Sequence, residues 1–319
     1  MRTKNKQTET EIRTLAKRAF PEDSVTEIRE LTEGMCNAAY WIGLSSGRQT
    51  VLKIAAPDRQ GLMINEADLM ATEVAAMQLV RADGRVRVPE VYYADFSKEV
   101  CSGTYFFMEA LEGASYSSLG DSLSEEVHQE LRRRVGQVER AITSIKGTRF
   151  GSLVDESRQY NSLYDWLYEL IANVLTDAKR KDIWIGVSEE AILSALWQDK
   201  AIFDQVNQPV LVHRDLWEGN IFVKDSGITG IIDWERAMWG EAYMDDRFRS
   251  HSRNVDFLRG YGQEQFSEEE WRRIYWYDVY LYLTMMTEGA YREYEDDGVY
   301  QWAKPMFEQA WDKLAEKQV

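Results

Sequence analysis

The residues with the strongest chemical signature gather near position 215. His213-Arg214-Asp215-Leu216 is followed by Asn220, and a second carboxylate, Asp233, lies 18 positions after Asp215. Phosphoryl transfer calls for such a set: a carboxylate that accepts a hydroxyl proton, and hard oxygen donors that hold a divalent cation against phosphates. Asp215 fits the proton acceptor, Asn220 the neutral ligand of Mg2+ and Asp233 its anionic ligand. The apolar runs on either side of Lys224-Asp225-Ser226-Gly227 predict a hairpin, which brings Asn220 and Asp233 to one rim although they are 13 positions apart. His213 reads as a buttress of this loop, because the proton falls to Asp215.

A triphosphate also needs a cation. Lys53, in Thr50-Val51-Leu52-Lys53-Ile54, sits on an apolar strand and wants a carboxylate partner. The periodic spacing of Leu69, Met70, Val74, Met77 and Val80 predicts a helix between about 61 and 80. That helix offers Glu73 as the partner of Lys53, with Glu66 as the second candidate.

Two kinds of support surround these residues. VTEIREL, AAYWIGL and QTVLKIA are short apolar runs separated by turn-forming Gly, Ser and Asn, which predicts an antiparallel meander; VPEVYYADF and GTYFFMEAL add two strands. A helix is expected near 4–18. Beyond the polar connector 111–121 the periodicity turns helical near 123–146, 160–179, 189–206 and 267–294, with Ser124, Ser188 and Ser267 ahead of glutamates as N-caps. The expected class is α+β, with a sheet-rich part over 1–110 and a mostly helical part over 111–319.

Taken motif by motif, the chain resembles the aminoglycoside phosphotransferase and choline kinase-like family, small-molecule relatives of the protein kinases, over roughly 25–245. His213 to Ile221 resembles that family's H-x-D-x-x-x-x-N loop, and Ile231-Ile232-Asp233-Trp234-Glu235 its I-D-W-E segment. A protein kinase would carry D-F-G and A-P-E instead. Gly240 to Asp245 is similar to the family's G-D-P-x-x-D element, with Glu241 and Ala242 departing from it, and Asp245 is expected to brace the catalytic loop. Gly34-Met35-Cys36-Asn37 resembles the G-x-S-N turn, with Cys36 in place of Ser. The resemblance implies a bilobal protein kinase-like fold: an N-terminal nucleotide-binding lobe over 1–110 and a C-terminal catalytic and substrate-binding lobe over 111–319. It further implies that Gly34 and Asn37 shape a phosphate-facing turn. Phe107-Met108-Glu109-Ala110-Leu111 becomes the hinge, where adenine meets backbone at Glu109 and Leu111. The donor is ATP, with GTP open, together with Mg2+.

Charge bounds the partners. The 319 residues carry 38 Lys and Arg against 54 Asp and Glu, a net charge of −16. Such a field repels nucleic acid polymers and anionic membrane surfaces. No apolar run is long enough to span a bilayer and the polar start lacks a signal peptide's apolar core, so a cytoplasmic location is expected. The two cysteines, Cys36 and Cys101, read as reduced thiols. The acceptor is expected to be a small hydroxyl compound. The stretch 264–297 holds ten acids against three arginines. Glu288, Glu293, Glu295, Asp296 and Asp297 are candidates to attract a cationic acceptor such as an aminoglycoside, amino alcohol or sugar amine, with a solvated helix end as the alternative. Trp271, Tyr275, Trp276, Tyr280 and Tyr282 read as core. Trp217 resembles the variant found in fructosamine kinase-like members. The competing function is a catalytically silent nucleotide-binding or regulatory scaffold.

Overall fold

Period-two alternation builds the first sheet. In the computed structural model, which describes residues 4–32, 37–57 and 62–316, helix α1 (Glu9–Ala19) precedes strands β1 (Val25–Leu31), β2 (Ala38–Leu44) and β3 (Gln49–Ile54), which form the expected meander. Helix α2 (Leu69–Asp83) follows, then β4 (Val91–Asp95) and β5 (Tyr105–Glu109), giving an antiparallel sheet in the order β1-β2-β3-β5-β4.

The two faces of this sheet have different partners. Tyr105 and Phe107 join Leu52, Ile54 and the buried face of α1, whereas Phe106 and Met108 join α2 in a core continuous with the helical half. Lys53 alternates with Leu52 and Ile54, so it projects to the α2 side, toward Glu73.

After β5 come β6 (Ala114–Ser115), α3 (Tyr116–Leu119), α4 (Glu125–Ile142), β7 (Phe150–Gly151), β8 (Gln159–Tyr160), α5 (Leu163–Arg180), α6 (Glu189–Gln198) and α7 (Lys200–Phe203). Strands β9 (Val210–Val212), β10 (Ile221–Lys224), β11 (Gly227–Ile231) and β12 (Met238–Gly240) then precede α8 (Val255–Tyr261), α9 (Glu268–Arg292) and α10 (Gly298–Ala315). β10 pairs with β11 as the expected hairpin and with β6 on its other edge. β9 and β12 pair in a small sheet with β7 and β8.

Ser124, Ser188 and Ser267 each cap a helix, their hydroxyls accepting from Val127 N, Ala191 N and Glu270 N. The helix expected over 189–206 breaks at Asp199, whose carboxylate accepts from Arg272 Nε and Trp276 Nε1, both at 2.7 Å. Helices α8 and α10 exceed what periodicity indicated; the acidic run before Gly298 reads locally as an end, yet α10 packs back along α9. Trp276, Tyr280 and Tyr282 are buried, as expected of core aromatics. Among the described residues no helix is long and apolar enough to cross a membrane.

Candidate active site

Strand β9 delivers the chain into a loop whose polar groups are paired one by one. His213 is fully buried; its Nδ1 accepts the Asp215 N–H (3.2 Å), so Nε2 carries the proton and donates to Ile232 O (3.0 Å). Burial pushes its pKa down to about 4, leaving a neutral ring with Trp234 against it, ring centroids 4.4 Å apart. The structure thus places His213 as a buttress. Arg214 follows in the left-handed region (φ +70), and its N–H donates to Asp245 Oδ2 (2.8 Å). Asp245 is fully buried and its Oδ1 accepts from Arg247 N (3.1 Å), while Arg247 Nε donates to Leu216 O (2.6 Å). Asp245 and Arg247 therefore hold the loop from beneath.

Asn220 stands at the start of β10. Its Nδ2 donates to Asp215 O (2.8 Å) and to Asp215 Oδ2 (3.4 Å). Burial raises the Asp215 pKa to about 8; Arg236 opposes that rise, and the charges of Asp233, Asp246 and Glu235 add to it. Trp217 lies over Gly219, where a Cβ would come 2.2 Å from the indole ring.

The hairpin returns β11 to the same rim, where Ile232 N donates to Asn220 O (3.0 Å). Asp233 adopts a left-handed backbone (φ +65). Across from it Lys53 Nζ reaches Asp233 Oδ1 and Glu73 Oε2, both at 2.6 Å, and Glu235 Oε2 at 3.4 Å. Asn37 Nδ2 donates to the same Glu235 oxygen (2.7 Å). Burial alone would lower the Lys53 pKa, but the three carboxylates outweigh it and hold the ammonium well above its ordinary value. Glu73, wholly buried, is pushed up to about 8 by burial and by the charges of Asp233 and Glu235, with Lys53 opposing. Burial would raise Asp233 too, yet Lys53 keeps it below its ordinary value. Three carboxylates thus share one ammonium.

The structure therefore brings together Lys53, Glu73, Asn37, Asp215, Asn220 and Asp233. Glu66, the second candidate for Lys53, instead accepts from Arg292 Nη2 at 2.6 Å. Gly34 and Cys36 lie outside the described residues. Glu109 N donates to Glu90 O (2.8 Å), and its side chain pairs with Arg87. Leu111 packs on Gly230, where a Cβ would meet its methyl at 2.6 Å. Sequence reasoning missed Glu235, which completes with Glu73 and Asp233 a trio whose ligand oxygens lie within 4.8 Å of one another. The signal was present in Asp233-Trp234-Glu235, a second acid two places on in a tight 3-10 turn.

The acids of 264–297 divide. Glu270 caps α9, and Asp278 binds Ser250 and Arg249. Glu288 is buried between Arg236 (3.3 Å) and Arg292 (3.4 Å). Asp296 and Asp297 line a cavity of about 360 Å³ with Asp182, Trp184, Met285 and Tyr300. Tyr294, also on its wall, donates to Glu288 Oε1 (3.3 Å).

Comparison with known proteins follows this geometry. The family described as the phosphotransferase enzyme family matches residues 27–277. The crystal structure of aminoglycoside phosphotransferase APH(4)-Ia superposes with a TM-score of 0.68 at 19% identity, over 96% of this chain and 99% of that one. A thermostable mutant of the same protein is known in ternary complex with AMP-PNP and hygromycin B. A fructosamine-3-kinase candidate from Thermobifida fusca superposes with a TM-score of 0.66 at 16% identity, over 94% and 99% of the two chains. Those likenesses share the fold, a protein kinase-like one. A subtelomeric hrmA-associated cluster protein of Aspergillus fumigatus is 27% identical over 150 residues, 47% of this chain. The match spans 28% of that curated relative's length.

Proposed function

We propose, from the premise that this chain belongs to the phosphotransferase enzyme family, that it moves the terminal phosphoryl group of ATP onto a hydroxyl of a small amine-bearing molecule. One observation carries the reading: a lysine of the first sheet and an aspartate 180 positions later meet at 2.6 Å, on the rim that also bears Asn220 and Asp215.

Asp215 is the catalytic residue in this reading. Its carboxylate, fixed by Asn220, aligns the acceptor hydroxyl and takes its proton, and its raised pKa suits a base. Lys53, anchored by Glu73, presents its ammonium to the phosphates. Gly34 and Asn37 belong to the turn over them, and the Glu109 carbonyl and Leu111 N–H are assigned to the adenine edge. The transition state of such a transfer is loose, so positioning and charge neutralisation supply most of the rate.

Mg2+ fits the donor set. The ligands available are hard oxygens, and three carboxylates surround a single ammonium. Asn220, through its amide oxygen, and Asp233 would hold the ion, with Glu235 beside them. When bound, Mg2+ supplies charge neutralisation to the phosphates.

An amine on the acceptor is supported by the cavity beside Glu288, which combines Trp184, Met285 and Tyr300 with the carboxylates of Asp182, Asp296 and Asp297. The hygromycin B complex of the structural neighbour supports the same class. The test is nucleotide turnover with Mg2+ and either ATP or GTP across aminoglycosides, amino alcohols, fructosamines, macrolides and neutral polyols. Phosphate transfer to an amine-bearing hydroxyl compound, faster than to polyols, is expected. Nucleotide binding without transfer to any of them would replace the enzyme with a silent scaffold.

A further inference from the structure

Lys53 and Glu73 stay paired only while α2 holds its place, and α2 has little of its own to fix its start. Its N-cap, Asp68, sits in the left-handed region (φ +60) and its side chain makes no capping hydrogen bond. The first turn carries no acid to meet the helix dipole. Among the described residues Glu73 Oε2 contacts Lys53, while the buried Oε1 has no hydrogen-bond partner.

The turn ahead of α2 is fastened instead to the C-terminal helices. Ile64 N donates to Asp177 Oδ2 (2.7 Å), and Asp177 is fully buried on α5. Asn65 uses both ends of its amide. Nδ2 donates to Leu170 O (2.9 Å), and Oδ1 accepts from Asn173 Nδ2 (3.0 Å) and Arg158 Nη2 (3.1 Å). Glu66 joins Arg292, which also contacts Glu288, the partner of Arg236. Met63, just before, is buried in the shared core.

We propose that Asn65 and Asp177 are positioning residues for phosphoryl transfer: they tie the start of α2 to α5 and thereby hold Glu73 against Lys53 in the arrangement that receives the nucleotide. The proposal rests on the reading of Lys53 as the phosphate-binding cation. Neither residue touches the nucleotide; both act through the helix. The same string of contacts runs on through Glu66 and Arg292 to Glu288, so one strap joins the nucleotide side to the acceptor side.

The experiment measures affinity for Mg·AMP-PNP by calorimetry, alongside the melting temperature, in the full chain. Asn65→Ala is expected to weaken binding about 10-fold, the worth of a hydrogen bond to a charged partner. Glu73→Gln should weaken it similarly, and the double variant should be no weaker than either alone, because both changes remove one thing, the placement of Glu73. Asp177→Ala, which removes the acceptor of Ile64 N–H, should weaken binding about 10-fold as well. Should Asn65→Ala not fold, Asn173→Ala, which removes one of Asn65's three contacts, is expected to weaken binding about 3-fold. Wild-type affinity in Asn65→Ala, or in Asn173→Ala where Asn65→Ala does not fold, overturns the proposal, even with a lowered melting temperature. Multiplicative losses of about 100-fold in the double variant do the same. A wild-type chain that binds no nucleotide overturns the reading of Lys53, and the tie with it.

Discussion

The catalytic loop and the charge cluster that faces it are built on opposite lines. Around the loop, both nitrogens of His213, both oxygens of Asp245 and the amide of Asn220 have partners within the chain. Those bonds hold Arg214 in a left-handed backbone that few side chains adopt unaided. In the cluster, Glu73, Asp233 and Glu235 share Lys53, and a buried oxygen of Glu73 has no hydrogen-bond partner among the described residues. The loop's backbone is held by partners within the chain, whereas three carboxylates of the cluster share a single lysine. In the proposed reaction, acceptor alignment is thus built into the backbone, and the nucleotide side gains from an incoming cation.

Substitutions on the two sides should separate accordingly. Asp215→Asn removes the base and leaves the cluster intact: turnover should fall about 10³-fold or more, with Mg·AMP-PNP affinity within about 2-fold of wild type. Asp233→Asn should do the reverse, weakening Mg·AMP-PNP by about 10- to 100-fold in calorimetry. Equal effects of both variants on affinity would erase the distinction.

Asp245→Ala sharpens it from the loop side. Removing the carboxylate strands the buried N–H groups of Arg214 and Arg247, and urea unfolding should show a loss of about 3 kcal/mol. Asp245→Asn should cost less, because one oxygen remains and burial already raises the Asp245 pKa to about 6. If Asp245→Ala unfolds like the wild type, the loop is not braced as described.

The smallest effect is a pH slope. Glu73 and Asp215, both pushed up to about 8 by burial, hold protons in the folded chain that the unfolded chain has released above its ordinary carboxylate range. Between about pH 5 and 8 the native state binds more protons, so stability falls as pH rises, by at most about 1.4 kcal/mol per pH unit for each group. Glu73→Gln and Asp215→Asn should each flatten their share of the slope in metal-free unfolding curves. Slopes unchanged in both would contradict the burial of these two carboxyl groups.

Much of this was legible in the sequence, for reasons that can be named. The five strands of the first sheet and the hairpin around Asp225 follow from local alternation and turn residues. The approach of Asn220 to Asp233 follows from the hairpin. The Lys53–Glu73 pair was legible as two candidates, and the choice against Glu66 depends on Arg292, 226 positions away. Glu235 was quoted within a motif without a role, since only the tight turn after Asp233 swings it back to Lys53. The tie at Asn65 and Asp177 left no trace in periodicity, because it joins a single turn to a helix 113 positions on. Helix α10 was hidden by the acidic run ahead of it, and its docking on α9 is a tertiary effect.

The most direct measurement of the central claim is a crystal structure of the chain with Mg2+ and AMP-PNP. The triphosphate should lie between Lys53 and the rim of Asn220 and Asp233, with the metal on those two residues and the Asp215 carboxylate open to the terminal phosphate. A nucleotide seated elsewhere, with Lys53 still bound only to its carboxylates, would contradict it.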